Sequence, residues 1–293
     1  MGRALAAQFP EARTTFDEAD EALGMSLSTV VFEGPAESLT LTKNTQPAIL
    51  TTSIAVYRVL AARGLQPSIV AGHSLGEYSA HVAAGTIAFA DAVRLVRNRG
   101  RYMQEAVPVG TGAMAAILGL DSAVVAQACA AAAEGEVVSP ANLNGPGQVV
   151  IAGTASAVAR AGDRAKALGA KRVVPLQVSA PFHCALMKPA EERLTPELRS
   201  LRVSNPRVPV VANVDAEPKT TGAASVDALI RQVALPVRWE DVMRRLVDSG
   251  ARAFVEVGPG TVLTGLARKQ ARGATFASID SPEQLAAVEA LFA

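Results

Sequence analysis

The sequence predicts an α/β protein, a parallel-sheet core interrupted by a small ferredoxin-like unit of order βαββαβ. Short apolar runs alternate with helical stretches over much of the chain, as in βα units. A serine bracketed by glycines follows one such run and opens a helix. Between Ala113 and Leu176 the rhythm changes to strand, helix, two strands, helix and strand, a self-contained unit. The 293 residues, 49% hydrophobic and 19% charged, suit a globular chain of roughly two domains. The large domain is therefore placed at 1–111 and 178–293, and the small one at 112–177.

Taken in order, Ile49, Leu50, Ile54, Tyr57 and Leu60 recur at helical spacing within Pro47–Arg63, which stops at Gly64. Ser68–Ala71 reads as a strand, Leu75–Ala84 as the helix after it, and Phe89–Glu105 as another helix ending before Pro108. In the small unit, Ala113–Leu120 is a strand and Ser122–Ala133 an Ala-rich helix. Val137–Leu143 and Gln148–Gly153 pair across Asn144-Gly145-Pro146-Gly147, which has strong turn chemistry. Ala155–Leu168 is a second helix closed by Gly169, and Lys171–Leu176 a last strand. Further on, Val208–Val214, Ala253–Val257 and Thr275–Ile279 read as strands. Helices are expected at Ser225–Gln232, Glu240–Asp248, Thr261–Gln270 and Pro282–Phe292.

Charge and cysteine usage exclude several classes. Lys and Arg total 28 against 27 Asp and Glu, a net charge of +1 with no basic stripe, which argues against nucleic acid. Cys129 and Cys184 lie far apart in no CxxC motif and read as reduced packing thiols, with no metal site. No apolar run reaches the ~18 residues of a membrane helix. Gln8, Pro10 and Glu11 interrupt any signal-peptide core, so the expected location is the cytoplasm.

Gly72-His73-Ser74-Leu75-Gly76 is a G-x-S-x-G element with a strand before it and a helix after. A nucleophile on so sharp a turn has a strained backbone, and bulky neighbours would clash there. The turn lifts the Ser74 hydroxyl out of the sheet and points the Leu75 N–H to where an oxyanion forms. A serine nucleophile needs a base, and the chain has 3 histidines. His73 adjoins the serine and reads as a residue shaping the turn. His81 is about 10 Å further along the helix and reads as a partly buried helix histidine. His183, in Ala180-Pro181-Phe182-His183-Cys184, is left as the base. Asp91, Asp121 and Asp163 sit in no recognisable post-strand loop, so a Ser–His dyad held by a main-chain carbonyl is expected. On spacing alone, Arg99 among Arg94, Arg97 and Arg101 reads as part of a solvated helix face.

These residues resemble the malonyl-CoA:acyl carrier protein transacylase family. The resemblance rests on Gly-His-Ser-Leu-Gly-Glu (72–77), Asn98-Arg99-Gly100 and Asn142-Leu143-Asn144-Gly145-Pro146-Gly147-Gln148. It extends to Pro181-Phe182-His183-Cys184-Ala185-Leu186-Met187, Gln232 with Pro236-Val237-Arg238-Trp239, and Glu256-Val257-Gly258-Pro259-Gly260. It covers essentially the whole chain. It implies a hydrolase-like α/β core with an inserted ferredoxin-like small domain, and ping-pong malonyl transfer from coenzyme A to acyl carrier protein. Ser74 is then the nucleophile, His183 the base, the Gln232 carbonyl its support and Leu75 an oxyanion donor. Arg99 matches the arginine that binds the malonyl carboxylate, since a planar fork pairs with two oxygens. Gln46, Phe182 and Asn142 match positions near the substrate; Leu75 and Phe182 favour malonyl over methylmalonyl in related polyketide domains. Lys171 and Arg172 match a basic spot for the acidic carrier protein, with a solvated strand edge as the alternative.

The family implies no cofactor and a monomer. It also opens with a strand and a Gln-containing loop that supplies a second oxyanion donor, and Met1-Gly2-Arg3 corresponds to the segment after that loop. Either a start codon assigned too late or a truncated gene is therefore expected. Two alternatives stay open: an inactive homologue that binds carrier protein, and a serine thioesterase or hydrolase on the same elbow.

Overall fold

The structure, a computed structural model, describes residues 1–108 and 110–292. It begins with four helices that periodicity did not reveal: α1 (Arg3–Gln8), α2 (Pro10–Leu23), α3 (Leu27–Glu33) and α4 (Ala36–Thr40). Leu5, Ala12, Phe16, Ala19, Leu27 and Val31 of this layer are buried in one core with Leu50, Ile54 and Val59 of α5 (Thr42–Ala61). Helix α5 starts five residues before the expected Pro47, which lies inside it. Its first turn is held by side chains, because Asn44 Nδ2 donates to Ser38 O (2.8 Å) and the Thr45 hydroxyl to Leu39 O (2.5 Å). That additional turn carries Gln46.

Strand β1 (Val70–Ala71) is short, and α6 (Leu75–Ala83) and α7 (Phe89–Glu105) follow as expected. The next elements are β2 (Gly112–Leu118), α8 (Ser122–Ala132), β3 (Val138–Gly145), β4 (Gln148–Thr154), α9 (Ala155–Ala167) and β5 (Arg172–Pro175). They form an antiparallel sheet of order β3-β4-β2-β5. Side chains alternate across a strand. Ala115, Ile117, Val149 and Ile151 therefore meet Val125, Cys129, Val158 and Ala161 of the two helices. Met114, Val150 and Ala152 face the other way, onto Cys184 and Phe182. The sheet's second face thus supports the loop that carries His183. Both cysteines are buried and free.

Next come α10 (Lys188–Ser200), which the sequence reading missed, β6 (Val210–Val211) and β7 (Pro218–Lys219). They are followed by α11 (Gly222–Gln232), α12 (Trp239–Asp248), β8 (Ala253–Val257), α13 (Val262–Gln270), β9 (Thr275–Ile279) and α14 (Leu285–Glu289). The expected parallel core is not one continuous sheet. Strands β1 and β6 pair in parallel and β6 pairs antiparallel with β7, while β8 and β9 form a separate parallel pair. A cleft of about 740 Å³ is lined by Val70 and Ala71 of β1 and by Phe254 and Val255 of β8, which belong to different sheets.

Candidate active site

Ser74 stands between β1 and α6 with φ 52° and ψ −104°, a conformation that side chains seldom adopt. The strain is held by hydrogen bonds at both ends of the residue. Its N–H donates to Asn213 Oδ1 (2.7 Å), and its carbonyl accepts from Gln232 Nε2 (2.8 Å). Of the flanking glycines only Gly72 is demanded by sterics. A Cβ there would lie 2.1 Å from the carbonyl carbon and oxygen of Gly76, whereas one on Gly76 would meet nothing within 4 Å. The expectation that both glycines avoid a clash is corrected accordingly. Gly72→Ala should destabilise by more than about 4 kcal/mol, because backbone would have to move. Gly76→Ala, inside a helix, should raise stability by about 0.5–1 kcal/mol. Urea unfolding of the two variants checks both signs.

His183, 109 residues from Ser74, is brought to it by the loop between β5 and α10, and its Nε2 is 2.7 Å from the Ser74 hydroxyl. Its own backbone is left-handed, φ 60°. Nδ1 donates to the Gln232 carbonyl (2.9 Å), leaving Nε2 as the acceptor for the serine proton. Among the described residues no carboxylate makes a hydrogen bond or ion pair with the ring. Burial pulls the His183 pKa down to about 3, with the Arg99 charge adding to the effect and the Gln232 carbonyl opposing it. The imidazole is thus neutral and able to accept a proton at physiological pH.

Arg99 departs most from the reading made on spacing alone. It is 2% exposed, on the buried face of α7 with Ala92, Val96 and Met103. Its spacing from those residues (i−7, i−3 and i+4) is the signal that would have placed it there. Gly100 allows α5 to approach, since a Cβ would lie 2.5 Å from Thr42 O, and this brings Gln46 alongside. Arg99 Nη1 donates to Gln46 Oε1 (2.9 Å), and Nη2 donates to Gln232 Oε1 (2.9 Å) and the Ser74 hydroxyl (3.2 Å). A guanidinium has five N–H donors. Among the described residues Nε is buried without a partner, and Nη1 carries a second N–H beyond the one given to Gln46, while both N–H bonds of Nη2 are committed, one of them to the nucleophile itself. Burial lowers the Arg99 pKa.

The other expected residues distribute less uniformly. Leu75 N–H opens α6 with no acceptor among the described residues, as an oxyanion donor requires. Phe182 packs beside His183 against the small sheet. Asn142 is buried on β3, bridged to Val237, and makes no side-chain hydrogen bond to the serine, histidine or arginine. Instead Asn144 reaches the site's edge, where its Oδ1 is 2.9 Å from His73 Nε2. Lys171 and Arg172 are exposed at the start of β5, away from these hydrogen bonds. Glu77 and Asn213 were not singled out by sequence and are central here. Glu77 is fully buried, and its Oε2 accepts from Asn213 N–H (3.0 Å) and Gln232 Nε2 (2.8 Å). Burial lifts its carboxyl to about 7.

His81 is completely buried rather than partly so, and among the described residues both its ring nitrogens lack hydrogen-bond partners, with Nε2 4.0 Å from Glu77 Oε1. Burial lowers its pKa from 6.5 to about 3. Between those values the unfolded state binds more protons. The stability linked to neutral His81 is therefore complete above pH 6.5 and is lost as pH falls toward 3. His81→Leu should stabilise by about 1–2 kcal/mol at pH 7, by removing unpaired polar atoms. Below pH 6.5 it should also remove about 1.4 kcal/mol per pH unit of acid sensitivity. Glu77, with its raised pKa, acts in the opposite sense from 4.5 to about 7, so the variant must be compared with the parent at each pH.

Among the described residues, no helix is long and apolar enough to cross a membrane, and no cluster of three metal-ligating side chains occurs. The family model for the acyl transferase domain matches residues 1–283. A malonyl CoA-acyl carrier protein transacylase of Escherichia coli K12 is 54% identical over 284 residues, spanning 97% of this chain and 92% of the relative. One from Bacillus subtilis strain 168 is 50% identical over 286 residues, spanning 97% and 90%. The structure of an acyl carrier protein S-malonyltransferase from Vibrio cholerae superposes with TM-score 0.96 at 49% identity, covering 98% of this chain and 94% of that one. A malonyl-transacylase solved in complex with its type II polyketide acyl-carrier protein gives TM-score 0.95 at 48% identity, covering 97% and 93%. Matching along nearly its full length in both sequence and fold, this chain belongs to the acyl transferase domain family, among the malonyl CoA-acyl carrier protein transacylases.

Proposed function

We infer that the protein transfers a malonyl group from malonyl-CoA to the phosphopantetheine thiol of acyl carrier protein through a malonyl-serine. The carrying observation is one hydroxyl, Ser74 Oγ, held 2.7 Å from a neutral imidazole and 3.2 Å from a buried guanidinium. His183 Nε2 takes the hydroxyl proton as Oγ attacks the thioester carbonyl, and the Gln232 carbonyl supports the imidazolium that forms. The Leu75 N–H meets the oxyanion. Collapse of the tetrahedral intermediate expels coenzyme A, which receives the proton from His183. In the second half the carrier thiol gives its proton to His183 and attacks the ester, and His183 returns that proton to Oγ as Ser74 is released.

Arg99 selects the acyl group. Its charge helps to hold the His183 pKa down. A malonyl carboxylate bound to Arg99 neutralises that charge and strengthens the base, while an acetyl group leaves the cation buried and unpaired. Gln46 and Gln232 hold the guanidinium from two sides. Exposed Lys171 and Arg172 are the docking point for the acidic carrier protein. The order β3-β4-β2-β5, with two helices on one face, supports a ferredoxin-like small domain at 112–177 within a hydrolase-like domain at 1–111 and 178–293.

Intact-mass and peptide mass spectrometry after mixing with malonyl-CoA tests the reading. A malonyl adduct on Ser74, discharged by carrier protein but stable in buffer, is expected. Equal labelling by acetyl-CoA would defeat the role given to Arg99. Rapid loss to water without carrier protein would favour the thioesterase alternative.

A further inference from the structure

The hydrogen bonds behind the elbow converge on Glu77, which touches neither Ser74 Oγ nor His183. Its Oε2 accepts two N–H groups, one from the Asn213 main chain and one from the Gln232 amide. Each leads to a different part of the site. Asn213 Oδ1 takes the Ser74 N–H and its Nδ2 donates to Gly72 O (2.8 Å), so Asn213 holds the strained turn on both sides of His73.

The Gln232 amide has two N–H bonds, and both are committed, one to Glu77 and one to Ser74 O. Its Oε1 is thereby left facing Arg99 Nη2. An amide turned the other way would present N–H to a guanidinium, two donors face to face. The acceptor on Glu77, together with Ser74 O, makes that orientation unfavourable.

We propose that Glu77 is a positioning residue of the acyl transfer, a buried acceptor that orients the Gln232 amide and, through it, the Arg99 fork that reads the acyl group. This rests on the malonyl-transfer reading above. The role predicts a specific defect, because losing the acceptor should harm recognition of the malonyl carboxylate more than attack on a thioester.

The test compares malonyl-CoA with acetyl-CoA as acyl donors, reading the rate of Ser74 acylation, in the full chain and three variants. Glu77→Leu removes the acceptor at similar volume, and Glu77→Asp keeps the carboxyl but withdraws it by one methylene. Glu77→Gln keeps an acceptor oxygen at the same reach. Leu and Asp should each reduce the malonyl-over-acetyl preference about tenfold to a hundredfold, the usual consequence of losing an oriented hydrogen bond to a charged group. Gln should restore the preference to within a few-fold of the parent. Thermal unfolding identifies folded variants, and Asp serves where Leu does not fold. A folded Leu or Asp variant with the parent's preference overturns the proposal, as does a Gln variant as impaired as Leu. If the parent chain forms no malonyl-serine, the functional reading fails instead, which separates the two failures.

Discussion

His183→Ala is expected to lower kcat/KM for malonyl transfer by about 10⁴-fold or more, with the fold retained. The magnitude follows from the unit that Ser74 and His183 form. Without the base, the hydroxyl must attack as a neutral alcohol, and only oxyanion donation and substrate binding remain. Ser74→Ala should be similarly inactive, and the double variant should be little worse than either single one, because both remove the same step. Steady-state transfer to carrier protein and the acyl-enzyme yield provide the two measurements. The parent's pH dependence follows from the same geometry. With the His183 pKa held near 3, the base stays neutral through pH 5–8, and activity limited by its protonation is lost only as pH falls toward 3. An acid limb near 6.5 that vanishes in no other variant would contradict a buried base.

Arg99→Met should reduce kcat/KM for malonyl-CoA by about 10²–10³-fold, the effect of removing one partner of a buried charge pair. The transfer of acetyl should fall far less, so the preference between donors collapses. Arg99→Lys should lie between the parent and Met. An ammonium keeps the charge but cannot present the planar fork that now spans Gln46 and Gln232. A Met variant that still prefers malonyl-CoA would transfer the selecting role to another group. These variants should be read beside the Glu77 series, since Arg99 and Glu77 hold opposite ends of the Gln232 amide.

The local features were legible from sequence because they depend on neighbouring residues. Helix α7 and strands β8 and β9 lie within their expected ranges, since each has a clear period and a defined stop. The elbow was legible for a similar reason, as its Gly72 meets Gly76 only four residues away. The first four helices were missed, although their buried residues join the main core. Their short lengths, six, fourteen, seven and five residues, offer too few turns for a firm periodic signal in most cases. The division of the parallel strands between two sheets was not legible either, because hydropathy marks a strand without naming its partner.

The sequence by itself determined most of the elements from α5 onward, the strand–turn–helix that exposes Ser74, and, through elimination, the histidine that could serve it. Only the tertiary structure decided that Arg99 is buried against the serine, that Gln46 and Gln232 flank it, and that Glu77 and Asn213 hold the turn from behind. Those contacts join residues from 25 to 158 positions apart. The physical reason is that a buried polar side chain is tolerated only where its partners converge in space. Such convergence is a property of packing between elements, and no local run of residues encodes it.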